Sequence, residues 1–120
     1  MQNTLVDRWL ACQVAGSGSK DERFAILKEV DDLIYRDADA GWMFTLELIA
    51  AAQDDWHLAN VAAGPLEDLL KRDPHRLIER VETQARRDPK FRRCLTGVWG
   101  LPESISQRLK KYTATVKDPL

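Results

Sequence analysis

Three times the chain sets an aspartate directly before a proline, at Asp73-Pro74, Asp88-Pro89 and Asp118-Pro119. An aspartate side chain accepts the free backbone N–H groups at a helix start, and proline fits the first helical position, where its missing N–H is not needed. The pair is therefore a helix-start signal, and its first two copies lie 15 residues apart. That interval holds a helix of about three turns and a tight link, so this part of the chain is restricted to short helices joined by short turns. Gly64-Pro65 reads in the same way, as a joint between helices over 55–63 and 65–72, with glycine past one helix end and proline opening the next. At such a joint Glu67 falls at the third helical position, where its carboxylate meets free N–H groups and the positive end of the dipole.

Hydrophobic periodicity extends the helical reading to the whole chain. Leu5, Trp9 and Cys12 form one stripe over 3–14, and Phe24, Leu27, Val30, Leu33 and Ile34 form another over 21–36. Between them "GSGSKDE" supplies a loop, with Ser19 or Asp21 as the helix cap. Residues 40–53 are apolar nearly all round apart from Glu47, the pattern of a central helix. Asp54 and Asp55 cap the next helix. Further stretches at 74–87 (Leu77, Ile78, Val81, Ala85 inward), 89–99 (Phe91, Leu95, Val98, Trp99 inward) and 102–114 (Ile105, Leu109, Tyr112 inward) complete the list. No segment sustains a period of two with β-branched residues, which excludes a sheet. The expected fold is all-α: a single domain over 1–120 with seven or eight short helices packed as irregular antiparallel hairpins, α-solenoid-like, with frayed tails at 1–2 and 115–120.

Composition agrees with one packed core. At 44% hydrophobic and 31% charged residues the chain is too apolar for disorder, and it lacks an apolar run near the ~20 residues a bilayer requires. "WLAC" ends in a cysteine like a lipoprotein cleavage site, but Asp7 and Arg8 occupy the place of the apolar h-region. Cys12 and Cys94 read as small buried hydrophobes, and two unclustered thiols fit a reducing cytoplasm. Of Trp9, Trp42, Trp56 and Trp99, three read as core; Trp9 or Trp56 is the candidate for an exposed anchor.

"GPLEDLL" at 64–70, followed by Glu82, Ala85, Asp88, Phe91, Arg92, Leu95, Gly97, Val98 and Trp99, resembles a family of small bacterial proteins known only as a domain of unknown function. The resemblance implies an all-helical bacterial domain and carries no activity or cofactor with it.

The chemistry-bearing residues form no familiar catalytic pattern. There is no G-x-S-x-G elbow, no Cys-His signature and no H-E-x-x-H, and "GSGS" lacks the spacing of a phosphate-binding loop. Asp54-x-x-His57 and His75-x-x-x-Glu79 each put two metal-capable groups on one helix face, which is too few ligands for a metal site. His75 reads as a first-turn surface residue and His57 as partly buried. Glu79 and Glu82 sit among basic residues as a solvated ion-pair face, with Glu82 and Arg86 at i, i+4 spacing and Arg76 and Arg80 beside their own neighbours. Arg92 reads as a bidentate pin to Glu67 or Glu82.

Charge is unevenly distributed. Residues 1–60 hold 11 Asp/Glu and 5 Lys/Arg, a balance of −6, while residues 61–120 hold 8 and 13, a balance of +5. The simplest consequence is attraction between the halves across the fold. Three functional surfaces follow from the rest. An acidic one at Asp31, Asp32, Asp54 and Asp55 fits a non-enzymatic protein-interaction module, an adaptor or immunity-type inhibitor, covering a basic protein partner. A carboxylate and arginine group at Glu67, Asp68, Glu82 and Arg92, near Gly64-Pro65, fits a small-ligand site or an enzyme. A basic cluster at Arg86, Arg87, Lys90 and Arg93 fits nucleic acid. No cofactor is expected.

Overall fold

The computed structural model describes residues 4–14 and 18–120. Its helices are α1 (Leu5–Cys12), α2 (Lys20–Arg36), α3 (Ala38–Ala51), α4 (Asp55–Val61), α5 (Glu67–Arg72), α6 (Pro74–Arg87), α7 (Pro89–Leu95) and α8 (Glu103–Thr113), with no strand among the described residues. Residues 1–2, and the start of the loop before Ser19, lie outside the described residues.

Side-chain caps set most helix starts. Thr4 and Asp7 form a reciprocal capping box on α1, Ser19 caps α2, Asp37 caps α3 and Asp54 caps α4. Asp88 accepts from the backbone N–H groups of Lys90 and Phe91 at 3.0 and 3.1 Å, so its Asp-Pro pair starts α7 as the sequence predicts. At Asp73 the side chain makes no capping bond, and Pro74 alone opens α6.

Gly64-Pro65 is not a joint. Backbone angles stay helical through Val61, Ala62, Leu66 and Glu67, and a π-helical segment over Ala62–Leu66 runs α4 into α5 as one rod from Asp55 to Arg72. The Glu67 N–H donates to the Ala62 carbonyl, five residues back. Two features of the sequence favour the wide turn. Pro65 has no N–H to donate, and its ring would press on the Val61 carbonyl in an α-helix. The buried residues also form rows spaced by four: Leu58, Ala62, Leu66 and Leu70 in one, Val61, Pro65 and Leu69 in the other. On a helix of 3.6 residues per turn such a row drifts by about 40° per step, roughly 120° over three steps. One wide turn takes up much of that drift and keeps both rows on the core.

α3 is the centre of the packing and touches α1, α2, α4, α5 and α7. Such a hub departs from the neighbour-to-neighbour stacking of a solenoid. Trp42 meets Phe91 of α7 edge to face at 5.7 Å between centroids. Gly41 lets α3 approach its neighbours, since a Cβ there would stand 3.2 Å from Leu69 and 3.3 Å from the Ile34 backbone. α6 and α8 bury the faces predicted for them.

Some inward assignments change. Phe24 and Leu27 are exposed: the fully buried residues of α2 are Val30 and Ile34 in its second half, with Ile26 and Leu33 packed beside the core. Trp9 is buried and Trp56 is exposed. Trp99 is also exposed, at 73%, because α7 ends at Leu95 and the chain has left the helix before reaching it. The last residues lie against α7 rather than fraying: the Leu120 N–H donates to Thr96 Oγ1 at 2.9 Å, and Arg93 Nε donates to the Asp118 carbonyl at 2.8 Å.

Candidate functional site

Much of the charge asymmetry is used inside the fold. Arg93 grips Asp55 through both Nη atoms at 2.6 and 3.0 Å, and Arg76 and Arg80 converge on Asp39 at 2.9 and 2.7 Å. Each contact joins a cation of the basic half to a carboxylate of the acidic half. Other cations cover helix C-termini, where exposed carbonyls and the dipole favour positive charge. Arg72 donates to the Ile34 carbonyl at the end of α2, and Lys90 Nζ donates to Ala50 and Ala52 at the end of α3, at 3.1 and 2.6 Å.

The predicted surfaces are divided by these contacts. Asp54 holds both the backbone N–H and Nδ1 of His57, at 2.8 and 2.6 Å, and those bonds keep its carboxyl below the ordinary range. The Arg93 hydrogen bond does the same for Asp55, and Asp32 pairs with Lys28 at 3.3 Å. Among the acidic four, only Asp31 lacks a hydrogen-bond or ion-pair partner among the described residues. In the basic group Arg93 and Lys90 are engaged as above, Arg87 donates to Gln84 at 2.9 Å, and Arg86 stands exposed.

Glu67, Asp68, Glu82 and Arg92 do not converge. Glu67 is no N-terminal cap: it accepts the Trp99 backbone N–H at 2.9 Å and pairs with Lys71 at 3.2 Å. Glu82 is buried under α8, where it pairs with Arg108 at 2.7 Å rather than with Arg86 or Arg92 and receives the Tyr112 hydroxyl at 3.4 Å. The Arg108 hydrogen bond holds its carboxyl below the ordinary range. Arg92 donates instead to the Ala85 carbonyl at 2.7 Å, closing the end of α6. His75 is exposed, His57 is half-buried, and no three His, Cys, Asp or Glu side chains among the described residues form a metal-sized group. Cys94 is buried against the Leu58 carbonyl, and burial pushes its thiol up to about 12; Cys12 is only partly covered.

One groove gathers what remains, and it follows the wide turn. It encloses about 280 Å³ between α1, α2 and the Asn60–Asp68 stretch of the long rod, with Trp9 at its floor and Leu27 on one wall. The π turn presents Gly64 to this space, where a Cβ would only just touch the Trp9 ring at 4.0 Å. Asp31 and Asp68 both line it, and neither has an ion-pair or hydrogen-bond partner among the described residues. Partial burial raises the Asp68 pKa, and the charges of Asp31 and Glu67 push it in the same direction. Asn60 and Gln13 complete the polar lining. Each donates its amide N–H to its own helix, to Trp56 at 2.8 Å and Trp9 at 3.1 Å, which leaves the two amide oxygens as acceptors. The groove therefore offers negative charge and acceptor oxygens beside the buried Trp9. Beside it, exposed Trp56 is fixed by its indole N–H on the Gln13 carbonyl at 2.5 Å.

Asp68 is legible in the sequence as a site candidate near Gly64-Pro65, but the sequence puts Asp31, which lines the groove with it, on a different surface. The rows spaced by four at 58–70 are the signal that could have found the wide turn, and with it the groove.

These features define an all-helical domain with a π-bulged rod across its centre. The sequence profile of a family of unknown function (DUF6869) matches residues 16–116, and the chain belongs to that family. No curated protein and no solved structure matches it. Among the described residues no helix is long and apolar enough to cross a membrane.

Proposed function

We propose that this chain is a non-enzymatic protein-interaction module whose π-bulge groove receives a lysine or arginine side chain from a partner protein. The observation that carries the reading is the groove's charge: two carboxylates without a hydrogen-bond or ion-pair partner among the described residues, beside two amide oxygens and with no cation in the lining. A cation satisfies these acceptors and relieves the repulsion between Asp31 and Asp68. Exposed Trp56 and Leu27 beside the groove supply apolar contact for the flanking residues of the partner. The reading is of binding because the titratable groups lining the groove are two carboxylates alone, with no histidine, cysteine, lysine, arginine or hydroxyl among its lining residues.

A random peptide library selected on the immobilised protein tests it. Enriched peptides are expected to share a lysine or arginine beside an aromatic or aliphatic residue, to bind more weakly as salt rises, and to lose about tenfold in affinity against Asp31→Asn/Asp68→Asn. Selection of peptides without a basic residue, or of basic peptides that bind the double variant equally well, refutes the proposal.

A further inference from the structure

A second cavity has the opposite chemistry. It lies between α7 and residues 115–118, encloses about 480 Å³, and is lined by Lys90, Arg92, Arg93 and Lys117 against a single carboxylate, Asp118. Arg93 and Asp118 answer each other, with Nε 3.5 Å from the carboxylate, and Asp55 takes the rest of the Arg93 guanidinium. The other three cations have no carboxylate partner among the described residues. Lys90 Nζ and Arg92 Nη1 are held by backbone carbonyls, which accept hydrogen bonds but carry no formal charge to cancel a cation. Lys117 is exposed and has no partner among the described residues.

Donors also remain. Arg92 uses only Nη1 in the contacts to Ala85 and Arg86, which leaves Nε and Nη2, the two-pronged edge that fits an oxyanion. The Lys117 ammonium and one hydrogen of Lys90 Nζ add to them. We infer that this cavity binds a phosphate monoester group, held by the free edge of Arg92 and by the Lys90 and Lys117 ammonium groups. A single compact dianion suits the site because its three uncompensated cations line one cleft, while Arg93 beside them is neutralised by Asp55 and Asp118 and Arg76 and Arg80 share the one charge of Asp39; the DNA titration tests whether Arg86 and Arg87 extend the cleft into a backbone track. This site is independent of the π-bulge groove.

The test follows backbone and arginine Nε–H resonances of the 15N-labelled protein by NMR at constant ionic strength. Separate titrations use inorganic phosphate, a Gly-phosphoserine-Gly peptide and a 12-nucleotide single-stranded DNA. Saturable shifts confined to residues 89–93 and 115–118, with Arg92 Nε–H among them, are expected from phosphate and from the phosphopeptide. Tighter binding of the peptide would place the phosphate on a partner protein, and equal binding would point to a free phosphorylated small molecule; both support the site. Lys117→Ala is expected to weaken binding at least threefold with unchanged thermal unfolding, while Lys28→Ala leaves it unaltered. Shifts no larger than those from matched chloride, equal binding by Lys117→Ala, or DNA binding more tightly than either phosphate probe with shifts spread over Arg76, Arg80 and Arg86 would overturn it.

Discussion

Gly97→Ala would press the turn after α7 against the first residue of the π segment. Gly97 lies in the turn after α7, and its N–H donates to the Cys94 carbonyl at 3.0 Å. Its φ is negative, so alanine is compatible with the backbone and the cost of the substitution is steric. An added Cβ would stand 2.9 Å from the Cβ of Ala62, 3.2 Å from Leu120 Cδ1 and 3.5 Å from the Cys94 carbonyl oxygen. Carbon atoms rest at about 3.5–4.0 Å, so the Ala62 contact is short by at least roughly 0.6 Å. Leucine has a mobile side chain that can turn aside. Ala62 has none, is fully buried, and begins the wide turn.

Overpacking of this kind costs about 1–3 kcal/mol, and the lower unfolded-state entropy of alanine returns about 0.4–1. A net loss of about 1.5 kcal/mol results. With about 2.1 cal/mol/K of unfolding entropy per residue over 120 residues, it corresponds to a fall in Tm of about 6 °C. The assay is urea and thermal unfolding of Gly97→Ala, Ala62→Gly and the pair. Ala62→Gly alone loses about 1 kcal/mol of helix propensity, but in the double variant it also removes the clash, so the double should be more stable than the sum of the singles by about 1 kcal/mol or more. A Gly97→Ala protein within 2 °C of wild type, or strict additivity, would show that the start of the π segment yields to the added methyl and would refute the close packing argued here.

Other consequences can be measured separately. Glu82→Gln should cost about 1.5 kcal/mol at pH 7, the low end for a hydrogen bond to a charged group because Arg108 is half exposed. Since Arg108 lowers the Glu82 pKa, that stabilisation is complete above the unfolded-state value near ~4.3 and is lost as pH falls through the folded value. The difference from wild type in urea unfolding should therefore shrink towards pH 3, and a constant difference would contradict the pairing. Asp68 has the opposite sign: its pKa is raised, so its ionised form costs stability once pH exceeds the ordinary carboxylate range. Asp68→Asn should be more stable than wild type at pH 7 and indistinguishable from it at pH 3; a loss of stability at pH 7 would contradict the raised pKa. In native protein at pH 8 a disulfide reagent should modify Cys12 well before Cys94, which becomes reactive only on unfolding; equal rates would contradict the burial of Cys94.

Helix number and type were legible because caps and periodicity are local. Ser19, Asp54 and Asp88 mark helix starts that need no knowledge of the rest of the molecule, and the stripe of α6 is buried as its spacing predicts; Asp37, which caps α3, carries the same local signal and goes unread in the sequence. The sequence reading went astray where two local rules agreed on the wrong answer. Gly64-Pro65 satisfies the rules for a helix end and a helix start, but the rows of four on either side are held by the core, and tertiary packing kept the rod continuous. Trp99 failed for a related reason, since its helical spacing continues beyond the point where α7 ends. Asp31 and Asp68 lie 37 positions apart, and no local pattern links them.

The pairing scheme explains why the groove is informative. This fold repeatedly places a cation beside a carboxylate or a helix end, even across long sequence separations, as at Asp39 with Arg76 and Arg80 and at Asp55 with Arg93. On the same helix as Asp31, one residue further on, Asp32 has its lysine. A lysine at position 27 or 64 would face the groove and serve Asp31 and Asp68 in the same way; the chain has leucine and glycine there. Stability alone favours filling that space with a cation, because the two carboxylates repel each other and Asp68 is partly desolvated. Leaving it open costs stability in the isolated chain and becomes favourable once a cation arrives from elsewhere, which is the thermodynamic arrangement of a binding site.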